Sequence, residues 1–333
     1  MRKLGKNLVL GVDIGGTKVA AGLVNSSGAI GKTARTRMMA QRSAAEGLRA
    51  VFQAIDSILN HREGKAASAI GVSVPGWVDS RRGVLLGATN IPCWKDFPLA
   101  REIERRYRLP VRIANDANVA ALAEARWGAG APYQNIFYAS LGTGIGTGMV
   151  LDGKLYEGRT GAAGEGGHNT INFHGPLCGC GKRGCIESYA SGTAIAREAR
   201  ERVGKKGAAG SRILKLAGGD IAAITSEKVS EAARAGDKLA REILEEAADH
   251  LAIWIGNMID LLDPDVMVLG GGVGHLMISF RARMRKQLES WAINPGQRQI
   301  PIVEAHYGSE SALVGAAALC FPPELISKRK SRR

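Results

Sequence analysis

The sequence predicts an α/β fold made of two related halves. Segments with strand and helix patterns alternate along most of the 333 residues, which is typical of α/β layers. A strand, a glycine-rich turn and a second strand occur twice. Gly16 and Gly22 of the first copy align with Gly142 and Gly148 of the second at an offset of 126 residues. Because no long polar linker separates the halves, we expect two lobes joined by short hinges.

The first half opens with an apolar strand that leads into Asp13 and a turn rich in glycine. A second strand follows the turn and ends at polar residues with turn chemistry. The remaining patterns of this half are a helix at 44–57, a strand at 69–74, a polar loop at 79–90, a helix at 99–107, a strand at 111–113 and a helix at 118–127.

The second half repeats the device with a strand at 136–139 and a turn over 142–148. Apolar residues then recur at helical spacing from Leu244 to Leu262, and Pro264 ends that helix before a strand at 266–269. We interpret the apolar stripe as core packing.

The composition is that of a globular protein. Hydrophobic residues make up 45% of the chain and charged residues 23%, which argues against disorder, collagen-like repeats and a membrane bundle. The 44 glycines are about twice the average usage. This excess predicts many tight turns or close approaches of the backbone to a ligand.

The net charge of +14 permits contact with nucleic acid, an anionic membrane surface or a polyanionic substrate. Part of it is terminal, and we interpret residues 323–333 as a solvated basic tail. The cations of this tail are Lys328, Arg329, Lys330, Arg332 and Arg333.

No apolar run reaches the ~18 residues that a spanning helix needs, and the first residues lack a signal-peptide core. We therefore expect a cytoplasmic protein with no membrane span. Three of the five cysteines lie between 178 and 185, which suits a metal site in a reducing compartment better than a disulfide framework.

Three glycine-rich turns, 13–17, 142–148 and 270–274, each follow an apolar strand. Glycine after a strand lets backbone N–H groups approach a phosphate without obstruction by a Cβ atom. The Walker spacing is absent, because no four-residue spacer separates the glycines of the first turn. Tight connections are the alternative for any single turn, but three together favour a site for a nucleoside triphosphate.

His168, Cys178, Cys180 and Cys185 lie within 18 residues and can complete a tetrahedral zinc shell. Four protein ligands leave no open position for a catalytic water, so the predicted metal is structural. The alternatives are buried thiols beside an unrelated histidine, or His174 as the fourth ligand.

Three carboxylates accompany these motifs. Asp116 follows Asn115 at the start of a predicted helix, where an N-cap is its alternative role. Glu165 and Glu187 flank the predicted zinc loop, so folding around a metal would bring two carboxylates together, as recognition of a polyhydroxyl ligand needs. Solvated charges are the alternative for both.

Five segments together resemble the ROK family of sugar kinases and sugar-responsive repressors, which is related in fold to actin and hexokinase. The resemblance covers nearly the whole chain. It implies a two-lobed actin/hexokinase-like (ribonuclease H-like) α/β fold with a central cleft. Residues 1–115, completed by a helix near 311–322, would form a small lobe, and 116–310 a large lobe with the zinc loop. The five segments are 11–18, 115–118, 141–146, 164–168 and 178–187.

The resemblance also implies roles for individual residues, with Asp116 as general base. It places around ATP and Mg²⁺ the residues Asp13, Gly15, Gly16, Thr17, Lys18, Gly142, Thr143, Gly144, Gly271 and Gly272. It assigns to sugar binding Gly76, Thr89, Asn115, Asp116, Glu165, His168 and Glu187, with His168 also holding Zn²⁺. Two positions depart from the family pattern: Gly166 replaces an aliphatic residue, and Trp77 follows Gly76 where members vary.

The reaction implied is ATP-dependent phosphorylation of a hexose, with glucose as first choice. N-acetylmannosamine, N-acetylglucosamine, fructose and allose are the alternative acceptors. The basic surface also permits inorganic polyphosphate as donor, and a non-catalytic sugar sensor is the alternative from another class. We expect a homodimer or higher homo-oligomer. We expect no helix-turn-helix module, because few residues precede the first phosphate strand.

Overall fold

The structure is a computed structural model that describes residues 7–39, 42–205 and 211–322. The basic tail predicted at 323–333 lies outside these residues. The chain forms two compact units. The first comprises the residues up to Tyr138, Gly148–Gly164 and those from His306 onward, and the second comprises Ala139–Thr147 and Glu165–Ala305.

The strands of the first 115 residues form two sheets. They are β1 (Leu8–Ile14), β2 (Lys18–Asn25), β3 (Ile30–Arg37), β4 (Ala67–Val74), β5 (Trp77–Asp79), β6 (Val84–Gly87), β7 (Lys95–Phe97) and β8 (Val111–Asn115). The larger sheet has the order β3-β2-β1-β4-β8, and the smaller one the order β5-β6-β7. β2 pairs antiparallel with both β1 and β3, whereas β4 pairs parallel with both β1 and β8.

The later strands are β9 (Ile136–Leu141), β10 (Ile145–Leu151), β11 (Lys154–Tyr156), β12 (Val266–Gly270) and β13 (Ile302–Glu304). Their sheet has the order β11-β10-β9-β12-β13, which repeats the order of the first. The boundary between the compact units crosses β9 and β10. The strand-turn-strand device found twice in the sequence thus opens two sheets of the same topology.

The helices are α1 (Ala44–Leu59), α2 (Leu99–Tyr107), α3 (Asp116–Trp127), α4 (Glu187–Ala190), α5 (Gly192–Lys205), α6 (Arg212–Leu216), α7 (Ser226–Arg234), α8 (Lys238–Leu262), α9 (Gly271–Ile278), α10 (Arg281–Trp291) and α11 (Ser311–Ala318). The α/β class and the predicted helices at 44–57, 99–107 and 118–127 are confirmed. α3 begins two residues earlier than predicted because Asn115 caps it.

Helix α11 packs so closely in the first unit that three of its contacts leave no room for a side chain at the facing glycine. A Cβ atom at Gly11 on β1 would overlap Leu313 O, and one at Gly71 on β4 would overlap Ala316 O. Gly315 of α11 approaches Val119 O of α3 in the same way. Backbone-to-backbone packing of this kind needs glycine at each contact.

The compact units have other boundaries than the lobes implied by the sequence. The first unit takes in α3 as well as α11, because α3 packs on α11. The lobe boundary at 115/116, with 311–322 completing the first lobe, stays a prediction. Within the part of the chain that the structure describes, no helix has the length and apolar character to cross a membrane.

We predict that Gly71→Ala destabilises the protein by about 1–3 kcal/mol or more, because the new Cβ atom must displace the backbone of α11. Urea unfolding followed by circular dichroism measures the loss. Gly204→Ala is the control, since no described atom lies within 4 Å of a Cβ there and alanine favours helix by about 1 kcal/mol. An unchanged midpoint for Gly71→Ala would contradict the packing of α11.

Candidate active site and metal centre

The carboxyl ends of β1, β4 and β8 meet at one edge of the first sheet because these strands are parallel. Asp13 on β1 lies opposite Ser73 on β4, and the Ser73 hydroxyl donates to Asp13 Oδ1 at 3.0 Å. Asn115 ends β8, and Asp116 follows it directly. Parallel pairing thus gathers polar side chains that lie far apart in the sequence.

Asp116 is the first residue of α3, and its neighbour Asn115 caps the helix. The Asn115 side chain accepts hydrogen bonds from the N–H groups of Ala117 and Asn118 at 2.9 and 3.3 Å. The N-cap interpretation of Asp116 is therefore wrong. Asp116 Oδ1 accepts one hydrogen bond, from Ala117 N at 2.9 Å, and burial raises the pKa of Asp116 above its usual value.

Asp13 lies within electrostatic reach of Asp116. Burial raises the pKa of Asp13 to about 6, while its hydrogen bond from Ser73 opposes this and the charge of Asp116 adds to it. Because the charge of Asp116 raises the pKa of Asp13, a hard divalent cation bound between oxygen donors of this kind would be favourable. This edge of the first unit is therefore suited to a magnesium-bound phosphate.

Gly76 is held by the same asparagine that caps α3. Asn115 Nδ2 donates to Gly76 O at 3.0 Å. Gly76 has φ = +93°, a region that favours glycine. Trp77 begins β5 opposite Gly87 with 56% of its surface exposed, so an aromatic side chain stands free beside the predicted sugar loop.

The first glycine-rich turn packs on the turn that contains Thr89. A Cβ atom at Gly16 would lie 2.8 Å from Asn90 O, so packing alone already requires glycine there. Gly15 N donates to Lys18 O at 2.8 Å, which closes the turn. Thr17, Lys18 and Thr89 are exposed.

The second unit brings together the four predicted metal ligands. One donor atom from each of His168, Cys178, Cys180 and Cys185 lies within 4.8 Å of all the others. Zinc bonds of about 2.3 Å to sulfur and 2.0–2.1 Å to nitrogen require edges of about 3.8 Å (S···S) and 3.6 Å (S···N) in a tetrahedron. The observed separations are 3.7 Å between the sulfurs of Cys180 and Cys185 and 3.6 Å between Cys178 Sγ and His168 Nδ1. The residues therefore fit zinc.

His168 faces the thiols with one ring nitrogen and a carboxylate with the other. Nδ1 lies 3.6 Å from Cys178 Sγ, whereas Nε2 lies 4.0 Å from Glu165 Oε2. A metal on Nδ1 would leave Nε2 free for hydrogen bonding. His174 does not belong to the cluster in the described residues; it is exposed, beside Phe173.

Glu187 connects the metal loop to the second glycine-rich turn. Its Oε2 accepts from Ile145 N at 2.9 Å, and a Cβ atom at Gly144 would lie 2.5 Å from that oxygen. The turn is also braced by Thr193, whose hydroxyl donates to Thr143 O at 2.8 Å. Glu187 Oε1 lies 3.9 Å from His168 Nδ1.

The third glycine-rich turn lies beside the end of β9. Gly271 has φ = +78° and leaves no room for a side chain next to Leu141 O, so its glycine is structural. Gly272 differs, because a Cβ atom there would meet no described atom within 4 Å. The same holds for Gly142. Packing does not explain glycine at these two positions, whereas close approach of a ligand would.

Sequence reasoning missed three residues that support these groups. Ser73 fixes Asp13, and the buried Trp254 donates from Nε1 to Gly166 O at 3.0 Å. Thr147 Oγ1 accepts from Gly166 N at 2.9 Å and leaves no space for a Cβ atom there. Gly166, which departs from the family pattern, therefore accommodates Thr147. No local pattern marks these partners, because each is distant in sequence.

The predicted site residues fall into two groups, one in each compact unit. In the first unit the structure gathers Asp13, Gly15, Gly16, Thr17, Lys18, Gly76, Asn115 and Asp116, with Thr89 on the turn that packs against Gly16. In the second it gathers Gly142, Thr143, Gly144, Glu165, His168, Glu187, Gly271, Gly272 and the three cysteines.

Comparison with known proteins gives the family that the sequence motifs resemble, over nearly the whole chain. The sequence profile described as ROK family matches residues 9–321. The chain is similar to a glucokinase of Streptomyces coelicolor, at 35% identity over 96% of this chain and 99% of the relative. It is also similar to an N-acetylmannosamine kinase of Yersinia pseudotuberculosis, at 33% identity over 94% of this chain and 98% of the relative.

A similar solved structure is that of a ROK family glucokinase from Streptomyces griseus in complex with glucose and AMPPNP. The TM-score is 0.80 at 36% identity, over 94% of this chain and 99% of the other. The actin/hexokinase-like fold class predicted from the resemblance is thereby confirmed.

We predict that Cys180→Ser, or incubation with a strong chelator, releases about one zinc per chain and unfolds the segment around residues 166–187, because metal binding and loop folding are coupled. Metal analysis and hydrogen exchange measure the two effects. Cys93→Ser is the matched control, since Cys93 lies outside the cluster. Unchanged exchange in a metal-free protein would contradict a structural metal.

Proposed function

The chain belongs to the ROK family, and from that premise we propose that it transfers the γ-phosphoryl group of ATP to a hexose, glucose first, giving glucose 6-phosphate. The observation that carries the proposal is the pair Asp13 and Asp116, two partly buried aspartates gathered at one sheet edge beside a glycine-rich turn. A sugar kinase needs a proton acceptor beside a magnesium-bound triphosphate. In this proposal Asp116 is the proton acceptor and Asp13 is the partner of the magnesium ion.

Asp116 is the proposed general base. The sugar hydroxyl gives its proton to Asp116 as the oxygen–phosphorus bond forms and the bond to ADP breaks. Phosphoryl transfer asks little covalent chemistry of the protein, so orienting the hydroxyl matters more than basicity. Because Asn115 caps α3, the carboxylate of Asp116 remains available for the sugar.

ATP is the proposed donor, held by the glycine-rich turns. The open glycines Gly142 and Gly272 leave space for phosphate and nucleoside to approach the backbone. The first turn contributes the exposed Thr17 and Lys18. Mg²⁺ bound with ATP would neutralise charge on the phosphate oxygens, and Asp13 is its proposed protein partner.

The residues proposed to bind sugar hydroxyls are Gly76, Thr89, Asn115, Asp116, Glu165, His168 and Glu187. Nε2 of His168 faces Glu165, which supports hydrogen bonding of both to one ligand. Zinc closed by four protein ligands supplies no reactive water, so its proposed role is to hold Glu165, His168 and Glu187 in place.

Inorganic polyphosphate is a second candidate donor, favoured by one surface feature. A groove of about 490 Å³ between β3 and α1 is lined by Arg35, Arg37 and Arg49, with Glu46 and Gln53. Arg37 pairs in register with Lys18 of the first phosphate turn, so the basic strip continues from the proposed donor site. Turnover with polyphosphate in place of ATP tests this directly.

The remaining alternatives concern the acceptor and the assembly. N-acetylmannosamine, N-acetylglucosamine, fructose and allose stay alternative acceptors, and the exposed Trp77 is the residue beside the sugar loop that bears on the choice. A non-catalytic sugar sensor would have no need of a base. A homodimer and a cytoplasmic location are further proposals, and the described helices include no membrane span.

We predict that an ADP-release assay with MgATP gives one preferred hexose, and that Asp116→Asn lowers kcat by about 10² to 10⁴, the range for losing a general base. The panel is glucose, N-acetylmannosamine, N-acetylglucosamine, fructose and allose.

The matched control is Asp96→Asn, an exposed aspartate outside the site, which should keep full activity. Asp116→Asn should stay folded. Burial raises the pKa of Asp116, so the ionised side chain costs stability at neutral pH and the amide removes that cost. Normal turnover in the variant would remove Asp116 from the mechanism, and no turnover with any sugar or donor would favour the sensor.

We predict that kcat/KM falls on acidification at a pH above the ordinary aspartate pKa of 3.8. Burial raises the pKa of Asp116 and so keeps its protonated, inactive form present at higher pH. A pH series with saturating MgATP measures this, with circular dichroism at each pH to separate titration from unfolding. A flat profile down to about pH 4 in folded protein would contradict a raised pKa.

A further inference from the structure

Glu124 is a fully buried carboxylate to which the proposed reaction assigns no role. It lies on α3, two turns after Asp116, and none of its surface is exposed. An acidic side chain is rarely buried to this extent unless its oxygens are hydrogen-bonded. A residue of this kind needs a structural or functional explanation.

Four donors surround the carboxylate. Glu124 Oε2 accepts from Ala129 N and His306 N, both at 2.9 Å. Glu124 Oε1 accepts from Tyr307 N at 2.9 Å and from the Ser311 hydroxyl at 3.4 Å. Every partner donates, so the site matches a group that only accepts. Gly128 completes it, because a Cβ atom there would overlap Glu124 Oε2.

The donors His306 and Tyr307 stand where the chain returns to the first unit. The second unit ends at Ala305, whose N–H donates to Leu269 O of β12 at 2.9 Å. The next residue, His306, is bound by Glu124 of α3. Ala305 is thus hydrogen-bonded to the second unit and His306 to the first, so the chain passes from one unit to the other at the peptide bond between them.

The segment after this return is fixed to the first unit by further contacts. The Tyr307 hydroxyl donates to Gly28 O at 3.2 Å, and Glu310 pairs with Arg35 at 2.6 Å. Helix α11 then packs on α3 by the close approach of Gly315 to Val119 O. Glu124 ties this return of the chain directly to the helix that bears Asp116, through its bonds from His306 N and Tyr307 N.

We propose that Glu124 is a positioning residue for phosphoryl transfer. It fixes α3 against the return of the chain at residues 306–311 and thereby holds Asp116, at the start of the same helix, in its reactive orientation. The inference rests on the proposed function. Small displacements of a reacting group cost rate steeply, so Glu124 acts on kcat through Asp116 and makes no contact with sugar.

The test is Glu124→Gln, which keeps size but turns one acceptor atom into a donor facing other donors. With glucose and MgATP, kcat should fall on the order of tenfold, while the KM for glucose and its affinity by calorimetry stay within about twofold. Gly128→Ala, which displaces the carboxylate without removing it, should reproduce this split. Ile58→Val, a buried change on α1, is the control for lost stability and should leave kcat unchanged at a temperature where all proteins are folded.

Normal kcat in folded Glu124→Gln would overturn the inference, as would an equal loss in Ile58→Val at matched stability. If Glu124→Gln does not fold, Ser311→Ala decides. It removes the weakest of the four donors, together with the bond of that hydroxyl to Gly308 O at 2.9 Å, and should lower kcat about twofold or more with KM unchanged; no change would overturn the proposal. Absence of hexose phosphorylation in the unaltered chain would instead reject the proposed function.

Discussion

The parallel pairing of β1, β4 and β8 is the constraint on which the first half of the candidate site depends. It brings the ends of three strands to one edge, so that Asp13, Ser73 and Asn115 lie together. Gathering carboxyls at a buried edge costs solvation, which is why the pKa values of Asp13 and Asp116 are raised. A bound cation with its phosphate would offset the desolvation of these two carboxyl groups.

In the second unit the metal loop, residues 165–187, brings candidate site residues together, as strand pairing does in the first unit. Residues 165–187 contain little regular structure; turns and two isolated bridges connect them, and the four predicted metal ligands lie together within them. Glu187 leaves this loop and binds Ile145 N beside the second glycine-rich turn. A single carboxylate therefore links the metal centre to the turn proposed to receive phosphate. We expect loss of the metal to weaken both the proposed sugar binding and the proposed nucleotide binding.

Much of the fold and of the metal centre could be predicted from sequence because the signals are local. The strand-turn-strand device and the spacing of Cys178, Cys180 and Cys185 are local patterns. The supporting contacts are not, since Ser73 meets Asp13 across 60 residues, Trp254 meets Gly166 across 88 and Glu124 meets His306 across 182. A lone serine, tryptophan or glutamate carries no pattern that names so distant a partner. The return of the chain to the first unit at His306 is equally distant in sequence, and only the family resemblance, not a local pattern, implied a helix near 311–322 in the first lobe.

Glycine content misleads unless packing is separated from ligand binding. Gly11, Gly71 and Gly315 allow backbones to touch, and Gly16 also belongs with them although it sits in a predicted phosphate turn. Gly142 and Gly272 stand in open space. Sequence cannot separate Gly16 from Gly142 and Gly272, because all three lie in glycine-rich turns that follow apolar strands. Packing explains glycine at Gly16, whereas at Gly142 and Gly272, which stand in turns after apolar strands, the close approach of a ligand is the explanation that remains. Gly142 and Gly272 are therefore better evidence for a phosphate site than the number of glycine-rich turns.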